Sequence, residues 1–285
     1  MSNTSLGPWL DVDVPDLDTL AWKQIVRLAW VRSREIVDQR LQQSNAQGNA
    51  QGIEIWKVRD FEYRHFYSGW VGLAFRFRAC AAHDQTYIMS FDQYGGDVMD
   101  MAMYQEDEAL FGFFLKGLAA LECFCYGLYA LGTLVRTPTQ APSIPPQPLF
   151  PHLDPHDPKE PQAITPRVTL QAFQQHFAGY ALTTQLARML ADPAYREWSN
   201  IRNVVAHRAA TAGRSLRYSN PSALVGGDDA RPSAVTMWAG DIDLTADTTA
   251  SRYRWLRETL NTGIEATLAF TKHELPYPEA QLPSL

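Results

Sequence analysis

Cysteine and lysine are scarce in this chain, and positive charge is not in excess. Its three cysteines, Cys80, Cys123 and Cys125, leave an odd thiol under any pairing. A disulfide framework is therefore not expected, and a reducing, cytoplasmic setting is. Five lysines stand against twenty arginines, and 31 acidic residues outweigh 25 basic ones for a formal net charge of -6. That balance argues against a protein that coats nucleic acid through bulk charge, while leaving room for a local basic site. The most lipid-like stretch, Ala109–Val135, is interrupted by Lys116 and Glu122. The uncharged remainder from Cys123 is shorter than the ~20 residues a membrane span needs. The opening residues, MSNTSLGPWLDVDVPD, are acidic and lack the basic-then-apolar order of a secretory leader. Phosphate-binding glycine loops, the dinucleotide fingerprint, the nucleophile elbow and helical zinc-ligand pairs are also missing. No membrane association, cofactor or metal is expected.

What is present is apolar: 46% of 285 residues, with 12% aromatic. This suffices for a packed interior and allows one large domain or a core carrying insertions. A single elaborated helical domain over 1–285 is expected. Its first helix, over 16–43, starts at Asp16 as N-cap and turns Leu17, Leu20, Ala21, Ile25 and Leu28 inward. A polar connector, Ser44–Gly52, leads to a mixed insertion over 53–105. There Leu73–Cys80 alternates Phe75 and Phe77 with Arg76 and Arg78, and Thr86–Phe91 is strand-like. With His83-Asp84-Gln85 as the turn, this reads as a small β-hairpin. Ala109–Val135, apolar all round, suits a central buried helix. Ten of eighteen prolines fall between Thr137 and Pro166, which defines a long Pro-rich loop over 137–167.

Helical spacing returns at Leu170, Phe173, Phe177, Tyr180, Thr184 and Ala187. Asp192-Pro193 then stops one helix and starts the next. That helix runs to about Ala210, burying Ala194, Trp198, Ile201 and Val205, and Gly213 ends it. Ser222–Val225 and Ala234–Gly240 are possible short strands, and a last helix spans Ala246–Glu274. The fold class is mainly α: a helical bundle with small β-hairpin insertions and a long Pro-rich loop.

The chemistry-bearing stretch is Ile201-Arg202-Asn203-Val204-Val205-Ala206-His207-Arg208. Asn200, Asn203 and His207 form a polar stripe opposite the Trp198/Ile201/Val205 core stripe. A histidine titrating near neutrality can take a proton from a ribose hydroxyl or give one to a leaving oxygen. A guanidinium can hold the phosphate and stabilise charge on its oxygens. The same residues also suit a plain helix end, where His207 and Arg208 meet the negative pole of the dipole.

Arg202-Asn-Val-Val-Ala-His207 resembles the R-x4–6-H motif of HEPN domains, including the polar residue directly after the arginine. The resemblance implies a bundle of four or five helices, covering 106–136 and 168–274 here, and a metal-independent endoribonuclease with a toxin or phage-defence role. It implies a homodimer that joins two motifs in one cleft, with RNA or a nucleotide as ligand and an antitoxin protein as possible partner. His207 becomes the general acid/base, Arg202 the phosphate ligand and Asn203 the orienter. Members also carry an acid on an earlier central helix, and Glu122 is the candidate, paired with Arg202 or Lys116. The alternative is a non-catalytic module binding nucleotide, RNA or protein through the same cleft.

Local charge accords with RNA. Arg188, Arg196, Arg202, Arg208, Arg214 and Arg217 face only Asp192 and Glu197 over their window. Arg196, Arg208 and Arg214 are the candidate RNA-binding residues beyond the motif. His152, Asp154, His156 and Asp157 have metal-ligand types but sit in a proline-rich loop with no second shell, so a solvated loop is the reading.

Overall fold

The computed structural model describes residues 14–46, 61–94, 101–136, 149–150, 164–207, 215–218, 240–245 and 247–276. They form seven helices: α1 (Thr19–Ala46), α2 (Phe61–Tyr94), α3 (Met101–Thr133), α4 (Pro166–Phe177), α5 (Ala181–Ala191), α6 (Pro193–His207) and α7 (Asp247–Glu274). Two four-residue strands, β1 (Ser215–Tyr218) and β2 (Gly240–Asp243), pair antiparallel between α6 and α7. The contacts divide the chain into two compact units. The first holds α1, α2 to Ala74, α3 from Leu121, α4, α5 to Arg188 and α7 from Leu260. The second holds α2 from Phe75, α3 to Ala120, α6, the strand pair and α7 to Thr259.

The β-hairpin insertion does not exist: Leu73–Phe91 lies wholly within α2. The alternating Phe75 and Phe77 are 200° apart on a helix, which places Phe77 at 0% exposure and Phe75 at 50%. The stripe that settles the period is Phe66, Trp70, Leu73, Phe77, Cys80, Asp84 and Tyr87, all buried at spacings of three or four. The mixed insertion over 53–105 is thus corrected to helix wherever it is described. The candidate strand Ser222–Val225, all of the candidate strand Ala234–Gly240 but Gly240, the Pro-rich loop from Thr137 to Pro148 and from Pro151 to Ala163, and His152 to Asp157 lie outside the described residues.

Helix starts follow capping chemistry. Asp18, not Asp16, caps α1: its Oδ1 accepts from Ala21 N at 2.9 Å. Asp16 takes a left-handed φ of 69° in the preceding turn, and its carbonyl accepts from Asn261 Nδ2 at 2.8 Å. Thr165 caps α4 with Pro166 in its first turn. The single helix expected over 170–187 is divided at Ala178-Gly179-Tyr180, between α4 and α5.

In the first unit α3 packs at glycine distance. A Cβ on Gly69 of α2 would stand 2.7 Å from the backbone of Gly127 on α3. No side chain can move aside there, so Gly69→Ala is expected to cost about 1–3 kcal/mol by forcing the helices apart. Urea denaturation checks this, and a midpoint equal to wild type would refute it. Phe150 fills the notch over Gly132, and Phe124 fills that over Gly263. By length and composition Tyr104–Thr133 would pass for a membrane span, yet 61% of its most apolar window is buried inside the fold.

In the second unit His83 lies over Gly112, whose added Cβ would fall 2.3 Å from the imidazole. Burial lowers the His83 pKa from 6.5, Lys116 lowers it further, and Glu108 opposes them. The unfolded chain then binds the proton first. This group's contribution is intact above pH 6.5 and is lost as pH falls from there toward the folded value. His83→Gln is expected to remove part of the drop in urea midpoint between pH 7.5 and 5. An identical drop in both proteins would show that His83 contributes nothing.

Candidate functional site

Helix α6 carries the candidate site, and three contacts in the second unit fix it. Asp192 caps it through Oδ1 to Ala194 N at 2.8 Å, while its Oδ2 accepts from Trp255 Nε1 of α7 at 3.1 Å. Glu197 accepts from Arg252 Nη2 of α7 at 2.6 Å. Trp198 is the main anchor. Its indole N–H donates to the Phe114 carbonyl of α3 at 2.9 Å, and its ring stacks on Phe113 and lies over Gly117. These pairings show α6 running antiparallel to α7. Ile201, one turn on, is fully buried.

By the helical period Arg202 lies about 40° round α6 from Trp198 and Asn203 about 140°. Arg202 and Asn203 are half-buried on the penultimate turn, and the helix ends at His207. The His207 side chain lies outside the described residues, as do Arg208 and Arg214. Arg196 is exposed and donates from Nη2 to the Ala191 carbonyl at 3.1 Å, covering the end of α5. It is therefore partly engaged within the fold. The core stripe expected on α6 holds for Trp198 and Ile201, while Ala194 is only half-buried.

Glu122 is exposed on α3 and belongs to the first unit, whereas Arg202 belongs to the second. Exposure removes the requirement that burial would impose for a cationic partner. Within the second unit, other carboxylates lie nearer the level of Arg202. Trp198 meets Phe114, and α6 runs on from Trp198 toward lower residue numbers of α3. Four to five residues on, about 6–8 Å, Arg202 and Asn203 reach the level of Leu110 and Ala109 on α3, with Glu106 and Asp107 about one turn farther. Glu106 accepts from Ser90 Oγ at 3.5 Å. Its carboxyl is raised, chiefly by burial and further by Asp107, with the Ser90 hydroxyl opposing. Glu106 and Asp107 fall within the expected core segment 106–136 but precede its apolar run from Ala109, and the helix carries both from its start at Met101.

Among the described residues no group of three or more His, Cys, Asp or Glu is placed to hold a metal ion. No protein-family model, no curated protein and no solved structure matches the chain.

Proposed function

We propose that the chain is a metal-independent endoribonuclease of the HEPN kind, acting as a homodimer on RNA. The observation that carries this reading is the end of α6. Arg202 and Asn203 stand one turn beyond the Trp198 anchor, and the helix they lie on ends at His207. In this reading His207 takes the proton from a ribose 2′-hydroxyl, which attacks the adjacent phosphorus and expels the 5′-oxygen, and the imidazolium returns the proton to that oxygen. The products are a 2′,3′-cyclic phosphate and a free 5′-hydroxyl. Arg202 holds the phosphate oxygens as charge builds on them, and Asn203 orients the nucleophile or the imidazole. Glu106 and Asp107 join Glu122 as candidates for the acid near the arginine. A toxin or defence role, with an antitoxin covering the motif, belongs to the same proposal.

The test is incubation with a defined oligoribonucleotide in chelator. Cleavage is expected to yield a cyclic phosphate and to stop when the nucleotide 5′ of the cut is 2′-deoxy. Cutting of an all-DNA strand would sink the mechanism. Folded protein that binds RNA without cutting it would make the chain a binding module instead.

A further inference from the structure

The interior of the second unit changes character along its length. The stripe that α2 turns inward is Phe77 and Cys80, then Asp84, Tyr87 and Ser90. Along α7 the same change runs in reverse: Leu256 is buried, and toward the N-terminus come Arg252, Thr249 and Thr248. The two polar stretches meet, with Thr249 against Asp84 and Thr248 against Tyr87. The first turns of α7 are therefore held to α2 by a polar seam, not by apolar burial.

The seam is closed to solvent but poorly satisfied. Asp84 is 8% exposed and Tyr87 1%. Asp84 Oδ1, Tyr87 Oη, Thr249 Oγ1 and Arg252 Nε are all buried without a hydrogen-bond partner in range. The Thr249 hydroxyl thus faces the carboxyl without closing a well-formed bond to Oδ1. A buried acceptor left so is costly, and a cluster of them asks for an explanation.

The charges around Asp84 give one. On its own helix it has Cys80 and Tyr87 as neighbours, and on α7 it has Thr249. Arg252 directs Nη2 to Glu197 at 2.6 Å and Nη1 to the Thr248 carbonyl at 2.7 Å. Farther along the seam, α3 brings Glu106 to Tyr87 and Ser90, and α6 brings Glu197 to Arg252. His83, next in sequence, packs over Gly112 of α3. Burial raises the Asp84 carboxyl from 3.8, with the Thr249 hydroxyl opposing.

We propose that the Asp84–Thr249 seam is a proton-operated latch: the neutral Asp84 carboxyl tolerates burial under the first turns of α7, whereas the ionised carboxylate, faced by one hydroxyl, draws in water and releases them. The proton exchanges with solvent. Because Arg252 joins α7 to Glu197, release also loosens α6, the helix that carries Arg202. The latch does not depend on the ribonuclease reading. The docked form has the higher proton affinity, so docking is strongest in acid and is lost as pH rises through the folded value.

Hydrogen exchange of the full chain tests this at pH 4.5 and 7.5, corrected for intrinsic rates. In wild type, protection of amides 247–256 is expected to fall at the higher pH while that of 260–274 holds. Asp84→Asn is expected to raise protection of 247–256 at pH 7.5 by about fivefold or more and to abolish the dependence. Thr249→Val removes the one hydroxyl that faces the carboxylate and should deepen the loss of protection at pH 7.5, which keeps the test open should the Asp84 variant misfold. Protection of 247–256 indifferent to pH in wild type would overturn the latch. So would a pH dependence that survives Asp84→Asn, one that weakens in Thr249→Val, or one that disappears only in Glu106→Gln.

Discussion

Trp198→Ala is expected to destabilise the second unit by about 3–5 kcal/mol, the range for deleting a large buried aromatic. The side chain fills the space over Gly117, stacks on Phe113, meets Phe114 edge-on and tilts against Trp255. Removing it opens a cavity bounded by three helices and leaves the Phe114 carbonyl without its donor. Rigid α3 and α7 cannot close that cavity by collapse, so the loss belongs near the top of the range. Trp198→Phe separates the two contributions. It keeps most of the ring contacts and gives up the N–H, for which about 1–3 kcal/mol is expected. Urea unfolding followed by circular dichroism checks both. A loss below 1 kcal/mol for the alanine variant would mean that α6 is held by something other than this anchor.

The same residue shows how much of the fold could be read in advance. Trp198 and Ile201 stand out because a helical stripe needs only local spacing, and α6 runs from Pro193 as its Asp-Pro signal implies. Helix α7 starts within a residue of its expected position. Local signals failed where two periods compete over a short window. Phe75-Arg76-Phe77-Arg78 satisfies alternation, and only the longer series from Phe66 to Tyr87 reveals the helix. Leu20 is a smaller case: it fits the apolar stripe of α1 yet is 62% exposed. The break between α4 and α5 had a visible mark in Gly179, outweighed by the aromatic spacing on either side.

The candidate site was less legible. Arg202, Asn203 and His207 are contiguous enough to be read as a motif, but the acid near them depends on how helices align across the unit. Glu122 attracted notice as a carboxylate in an apolar run. Its exposure shows that the run is buried on one side only at that point, with Leu121, Phe124 and Cys125 turned inward. In a turn His83-Asp84-Gln85 an acid is ordinary. Once α2 is continuous, position 84 falls on the buried stripe, and an acid on that stripe becomes conspicuous.

His207→Ala is expected to reduce chelator-resistant RNA cleavage by about 10²–10⁴-fold, the contribution of a positioned general acid/base. Arg202→Lys is the companion variant. A lysine keeps the positive charge but loses the planar fork that grips two phosphate oxygens, so a large rate loss is expected despite the conserved charge. The distribution between kcat and KM carries the mechanism. His207→Ala should lower kcat with little change in KM, because proton transfer belongs to the transition state. Arg202→Lys should affect both, since the phosphate is bound before and during the reaction. Both proteins must unfold near the wild-type urea midpoint, since loss of the Trp198 anchor would also silence the site. A His207→Ala protein that folds normally and cleaves at the wild-type rate would remove the histidine from the chemistry. The end of α6 would then be an ordinary helix terminus, with basic side chains facing the negative pole of its dipole.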